Sequence, residues 1–217
     1  KIMTGLPGYL VVLFLMQLLW WFGIHGPNVM GAVTGPFLTK MMATNLELYQ
    51  ASEGVSASGV YYQAGSQYSI ISSPFAAGWR CPTGSGITMG LIIAIMLFSK
   101  RDDFKAIAKL AIPCGIFNIN EPIIFGIPMV MNPMFAVPFF LAPIACASLG
   151  YLVQYLGLCP LFVISVPWTT PVGLFGFLAS SGNIMGGIWQ AVIIIGASTL
   201  IYTPFVIASN RQKEVAA

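Results

Sequence analysis

From Leu110 to Ser209 the chain runs a hundred residues with a single Asp, Glu, Lys, Arg or His, which is Glu121 in the stretch GIFNINEPIIFG. Soluble domains carry about 25% charged residues, and a soluble fold has no way to cover its surface with such a run. The whole chain of 217 residues points the same way: it is 57% hydrophobic and 7% charged, with a mean hydropathy of +0.85. Apolar runs of this length read as membrane-spanning helices. The expected class is an all-α integral membrane protein. The net charge of +3 is too small to suggest nucleic acid, and the nine cations form no stripe. They sit near segment ends, where they anchor and orient spans in a lipid bilayer.

Four spans are expected. Leu6–Ile24 is uncharged and long enough for a hydrocarbon core of about 30 Å. It ends in WWFGIHGPNVMG, whose Trp20 and Trp21 suit a membrane interface. His25, Gly26, Pro27 and Asn28 then break any helix. Residues 40–78 are rich in Ser, Gly, Gln and Tyr and read as an irregular polar insertion. Trp79–Ser99 is the second span, with continuous helix from about Ile87. Residues 100–109, KRDDFKAIAK, are the most charged stretch and read as a cytoplasmic basic loop. Met134–Leu156 is the third span, interrupted by Pro138 and Pro143. Ile184–Ile207 is the fourth, and Arg211 and Lys213 place its tail inside as well. Residues 110–132 must then enter and leave on one side, as a re-entrant hairpin does. The chain begins with Lys1 and reaches an apolar span almost at once, so it is expected to start inside a longer protein. Cys81, Cys114, Cys146 and Cys159 have no metal-ligand or redox spacing and read as small apolar residues.

The segment NINEP carries the strongest chemical signal. Proline suits the first turn of a helix and Asn is a favoured cap. NINEP therefore reads as the end of one half-helix, a short link, and a new half-helix starting at Pro122, with Gly115 closing the earlier piece. Broken helices at membrane depth are tolerated only where the backbone is buried in protein or lines a wet cavity. An intramembrane carboxylate costs several kcal/mol and marks function by default, and transporters place substrates at such interruptions. His25 has a similar setting, but a histidine beside two tryptophans also fits a membrane surface. In VPWTTP, Val166–Pro171, Trp168 can present a face to a sugar ring or sit at the interface; residue type leaves both open.

Three passages together resemble one family. GIFNINEPIIFGIPMVMNPMFAVPFFLAPI, FGIHGPNVMGAV and VPWTTPVGLFGFLASSG are similar, in the right order, to motifs of the membrane-embedded enzyme IIC component of bacterial phosphoenolpyruvate-dependent sugar phosphotransferase systems, in the lactose/cellobiose/diacetylchitobiose branch. LIYTPFVIASNRQ resembles its last span. Residues 40–81 match only loosely. The resemblance implies a substrate-binding and transport domain over residues 1–217, built of about four transmembrane helices plus re-entrant half-helix hairpins. The helices that precede this part in the family, used largely for dimer contacts, are absent here, so a homodimer is expected of the full-length protein. It also implies a multi-pass protein of the bacterial cell membrane. Such a protein imports a disaccharide by an elevator-like shift, and a cytoplasmic enzyme IIB partner carrying phosphocysteine phosphorylates the sugar. By resemblance Glu121 takes or orients the sugar hydroxyl proton and His25 bonds the same region. Trp168 packs on the sugar, and Asn28, Asn118 and Asn120 are further polar or backbone ligands. No metal cluster and no P-loop is visible, so no cofactor is expected and the phosphoryl group comes from the partner. Residue physics alone also allows a proton-coupled sugar transporter using Glu121, or a non-catalytic scaffold.

Overall fold

The computed structural model describes residues 5–52, 59–80 and 82–211. Among the described residues there are helices and no β-strand: α1 Leu6–Trp21, α2 Gly26–Ala51, α3 Ser73–Trp79, α4 Met89–Phe98, α5 Asp102–Ile116, α6 Glu121–Gly126, α7 Pro133–Tyr155, α8 Leu174–Ala179, α9 Ile184–Ala191 and α10 Ser198–Ser209. A π-helical stretch, Val192–Ala197, joins α9 to α10 without a break. Helix α7, of 23 residues, and the continuous unit Ile184–Ser209, of 26, are long and apolar enough to cross a bilayer. At 1.5 Å per residue they reach about 34 and 39 Å. Leu6–Trp21 and Met89–Phe98 are apolar but shorter.

Three expectations need correction. Residues 40–51 are not an insertion: α2 runs through them to Ala51. Its buried Thr34, Leu38, Asn45 and Tyr49 keep helical spacing, and the Asn45 side chain pins the following chain. Its Nδ2 donates to Ser69 O at 2.7 Å, and its Oδ1 accepts from Ser69 N–H at 2.9 Å. Residues 102–109 are not a loop but the first turns of α5. Asp102 and Asp103 favour that helix start, and Phe104, Ala108, Ala111 and Gly115 bury one stripe. Arg101 bonds Asp103 at 3.1 and 2.5 Å, which holds the Asp103 carboxyl below the usual carboxylate range. Pro138 and Pro143 do not interrupt α7; both are buried inside one helix. Asn132 caps that helix, its Oδ1 accepting from Met134 N–H at 3.0 Å, and Pro133 follows in the first turn. Cys81, Lys213 and residues 53–58 lie outside the described residues.

Two buried apolar clusters hold the helices. One gathers Tyr9, Phe75, Trp79, Phe162 and Phe175 among others, with Trp79 stacked on Phe162 at 5.3 Å. The other gathers Leu91, Ile95, Phe135, Phe139 and Tyr202, where α4, α7 and α10 meet. Helix α4 lies so close to α10 that a Cβ on Gly90 would overlap Ser198. The non-helical segments also contribute: Ile87, Leu161, Phe162 and Val163 belong to the first cluster.

Candidate functional site

The two helix breaks are built alike. After α1, Gly23 is left-handed (φ 83). Its N–H donates to Trp20 O, and Ile24 N–H donates to Leu19 O, both at 2.9 Å. After α5, Asn118 is left-handed (φ 67). Its N–H donates to Gly115 O at 3.1 Å, and Ile119 N–H donates to Cys114 O at 3.0 Å. This paired pattern closes a helix on a left-handed residue, which Gly and Asn tolerate best. Helix α5 thus ends one residue beyond Gly115, and α6 begins at Glu121, with Pro122 in its first turn.

A candidate site residue follows each reversal, His25 two residues after Gly23 and Glu121 three residues after Asn118. His25 caps α2: its Nδ1 accepts from Asn28 N–H at 3.2 Å, which leaves the ring proton on Nε2 as a donor. Its ring lies 4.9 Å from that of Trp20. Glu121 opens α6. The turn after α6 is tied back to α1, since Met131 N–H donates to Trp21 O at 3.1 Å.

All six residues singled out from the sequence, Glu121, His25, Asn28, Asn118, Asn120 and Trp168, line one cavity of about 430 Å³. That is within the range of small-ligand sites. Trp20, Pro27, Arg80, Gly84 and Ser85 complete its wall. Glu121, His25 and Asn28 are exposed into it, and Trp168 is 63% exposed. The two hairpin asparagines differ from the others. Asn118 and Asn120 are buried, and their amides are spent on the backbone. Asn118 Oδ1 accepts from Thr83 N–H at 2.6 Å, and its Nδ2 donates to Trp168 O at 2.5 Å and Thr170 O at 2.8 Å. Asn120 Nδ2 donates to Ser85 O at 2.6 Å. Both therefore act first as clamps that join the break before Glu121 to the turn at 82–88 and to the Trp168 segment.

Sequence reasoning missed two contributors. Arg80 was passed over beside an irregular helix start. Gln190 looked like one polar residue in an apolar span. It is fully buried, its Oε1 accepts from Gly173 N–H at 2.9 Å and Gly176 N–H at 2.8 Å, and its Nε2 donates to Gly78 O at 2.9 Å. The Trp168 segment is thus held on one side by Asn118 and on the other by Gln190. The sequence showed only a lone amide three and four residues after Gly187 and Gly186, which does not reveal its partners.

Comparisons with known proteins bear on this arrangement. Residues 1–143 match the family model described as "Phosphotransferase system, EIIC". The chain is 34% identical over 210 residues to the oligo-beta-mannoside-specific EIIC component of Bacillus subtilis (strain 168), covering 96% of this chain and 44% of that one. It is 35% identical over 218 residues to the cellobiose-specific EIIC component of Lactococcus lactis subsp. lactis (strain IL1403), covering 94% and 43%. Among solved structures it is similar to the transporter ChbC, the IIC component from the N,N'-diacetylchitobiose-specific phosphotransferase system, with a TM-score of 0.86 and 33% identity over 97% of this chain and 46% of that chain. The chain spans somewhat less than half the length of the relatives it matches.

Proposed function

The chain belongs to the phosphotransferase-system EIIC family, and from that premise we propose that it is the substrate-handling part of a sugar permease. It binds a disaccharide of the cellobiose, diacetylchitobiose or lactose class, carries it across the bacterial cell membrane, and offers it to a phosphorylated enzyme IIB partner. The observation that carries the reading is the meeting of Glu121, His25 and Trp168 around one cavity, although they come from three separate parts of the chain. In the membrane, the start of α5 with Lys100, Arg101 and Lys105 faces the cytoplasm. The α5–α6 segment enters and leaves on that side, and α1, α7, the α9–α10 unit and the segment 79–99 that ends in α4 cross. The full-length protein is a homodimer.

In this role the protein's part is positioning and charge. Trp168 offers an aromatic face to a sugar ring. The Nε2–H of His25 donates to the sugar hydroxyl oxygen, and Glu121 accepts the hydroxyl proton as the oxygen attacks phosphorus, a transfer that needs heavy-atom contact of about 3 Å. Transport of a labelled disaccharide by the full-length protein in vesicles, with phosphorylated partner inside, tests the proposal. Sugar phosphate is the expected product, and E121Q is expected to bind sugar but form none. Unmodified sugar accumulating with a proton gradient, or normal product from E121Q, would overturn it.

A further inference from the structure

Phosphoryl transfer at Glu121 raises an electrostatic problem. The transferring group spreads negative charge over three oxygens, and it arrives beside a carboxylate. Among the described residues that line the cavity, Arg80 is the one with a permanent positive charge. Arginine holds its charge at any physiological pH and offers a planar fork of donors that matches phosphate oxygens. We propose that Arg80 takes the phosphoryl oxygens during transfer and offsets their charge against Glu121. The proposal rests on the phosphotransferase reading above and deepens it.

The position of Arg80 is defined by bonds on both sides. Its own N–H donates to Ala76 O at 3.1 Å, at the end of α3. Two residues earlier, Gly78 O accepts from the buried Gln190. Three residues later, Thr83 N–H is held by Asn118, and Ser85 O is held by Asn120. The peptide that carries Arg80 is therefore fastened to the peptide that carries Glu121 by the two asparagines that precede that carboxylate. The intervening turn is unusual. Thr83 (φ 62), Gly84 (φ 85), Gly86 (φ 82) and Ile87 (φ 52) are all left-handed, and two of them are β-branched, which such a backbone disfavours. Strained backbone of this kind collects at functional sites and persists only where its surroundings impose it. Here Tyr202 Oη donates to Gly86 O at 2.7 Å, and Thr88 Oγ1 donates to Thr83 O at 3.0 Å. Gly84 has no side chain, so the wall it gives the cavity is backbone; a Cβ there would overlap Asn120.

The step balances without a further reactant. The sugar hydroxyl oxygen attacks phosphorus, and a P–O bond forms as the P–S bond to the partner's cysteine breaks. Sulfur leaves with the electron pair as thiolate, and the hydroxyl proton passes to Glu121. Arg80 gives no proton and no electrons; its charge lowers the repulsion that grows as the phosphoryl group nears the carboxylate.

The test uses the full-length protein, its phosphorylated partner and a disaccharide that the wild type phosphorylates. R80Q is expected to keep sugar affinity within threefold of wild type while single-turnover phosphoryl transfer slows about 10²–10³-fold, the usual loss for one preorganised charge donor. R80K is expected to transfer at least tenfold faster than R80Q. R80M carries the same expectation as R80Q should the glutamine not fold, with sugar binding as the check on folding. Transfer by both neutral variants within threefold of wild type would overturn the inference. So would a fall in sugar affinity equal to the fall in transfer, which puts Arg80 on the sugar, or a lysine no faster than glutamine. Each of those outcomes leaves wild-type transfer intact, whereas a wild type that makes no sugar phosphate removes the phosphotransferase reading itself.

Discussion

Replacing Asn118 separates the role of a clamp from that of a sugar ligand. Its side chain is 7% exposed and makes three hydrogen bonds to the backbone, at 2.6, 2.5 and 2.8 Å. A net value of about 0.5–1.5 kcal/mol for each gives roughly 1.5–4.5 kcal/mol in all. The site borders an open cavity, so water can take over part of this, and about 2–3 kcal/mol is the working figure. Asn118→Gly removes the clamp and keeps the left-handed backbone at φ 67. Asn118→Ala removes the same bonds and adds about 1–2 kcal/mol of backbone strain. Trp168 is 63% exposed, so burial does little to hold its ring, and the clamp on its carbonyl does more. If half the clamp energy goes into placing that ring, sugar affinity in Asn118→Gly falls about 5- to 15-fold. Calorimetric titration of disaccharide into the full-length protein reads the affinity, and thermal unfolding of the same samples reads the stability. A glycine variant that binds within twofold of wild type would refute the clamp, and equal stability of the glycine and alanine variants would refute the backbone account.

Two further outcomes follow from the same geometry. Trp168→Ala should weaken disaccharide binding about tenfold, the scale of one aromatic face contact of about 1–1.5 kcal/mol, with little change in unfolding temperature; an unchanged titration would count against stacking. Gln190→Leu leaves Gly173 N–H, Gly176 N–H and Gly78 O without the partner they have now, and should destabilise the fold by about 3–5 kcal/mol, read as an early thermal transition; a variant that melts with wild type would show that these groups find other partners.

The parts of this fold that were legible in the sequence are the long apolar helices. A long uncharged run has few ways to satisfy its backbone, so α7 and the α9–α10 unit could be read from apolar length, whereas the expected span Trp79–Ser99 holds a continuous helix only over Met89–Phe98. Glu121 stood out because nothing near it was charged. The errors at residues 40–51 and 102–109 share one cause. Charge and polarity were read as loop, while the buried stripes through Leu38, Asn45 and Tyr49 and through Phe104, Ala108 and Ala111 were keeping helical period. Pro138 and Pro143 misled in the opposite sense. A proline removes one helical bond, but a helix packed on several sides keeps its course. Gln190 and Asn118 could not be read as clamps at all. Their partners lie far along the chain, at Gly78 and at Trp168 and Thr170, and a glutamine in an apolar run looks the same whether it grips a remote peptide or fills a gap.

The two helix breaks also suggest a division of labour between His25 and Glu121. Both follow a left-handed residue that turns the last carbonyls of a helix back onto the chain, so neither break leaves backbone groups stranded in an apolar setting. The left-handed residues are not equivalent. Gly23 has no side chain, so its break is held by the backbone bond from Met131 N–H to Trp21 O at 3.1 Å, and the His25 ring by one hydrogen bond, from Asn28 N–H at 3.2 Å, and its contact with Trp20. Asn118 supplies the left-handed turn and three long-range bonds at once, and Asn120 adds a fourth. The segment before Glu121 is thereby fastened by side-chain bonds to the turn at 82–88, whereas the break before His25 is held by backbone and ring contacts. A proton acceptor must keep its distance to the reacting oxygen within a few tenths of an ångström, while a donor that guides a sugar in and lets it go gains from yielding. On the proposed reading, the break with more side-chain hydrogen bonds lies under the group with the stricter geometric task.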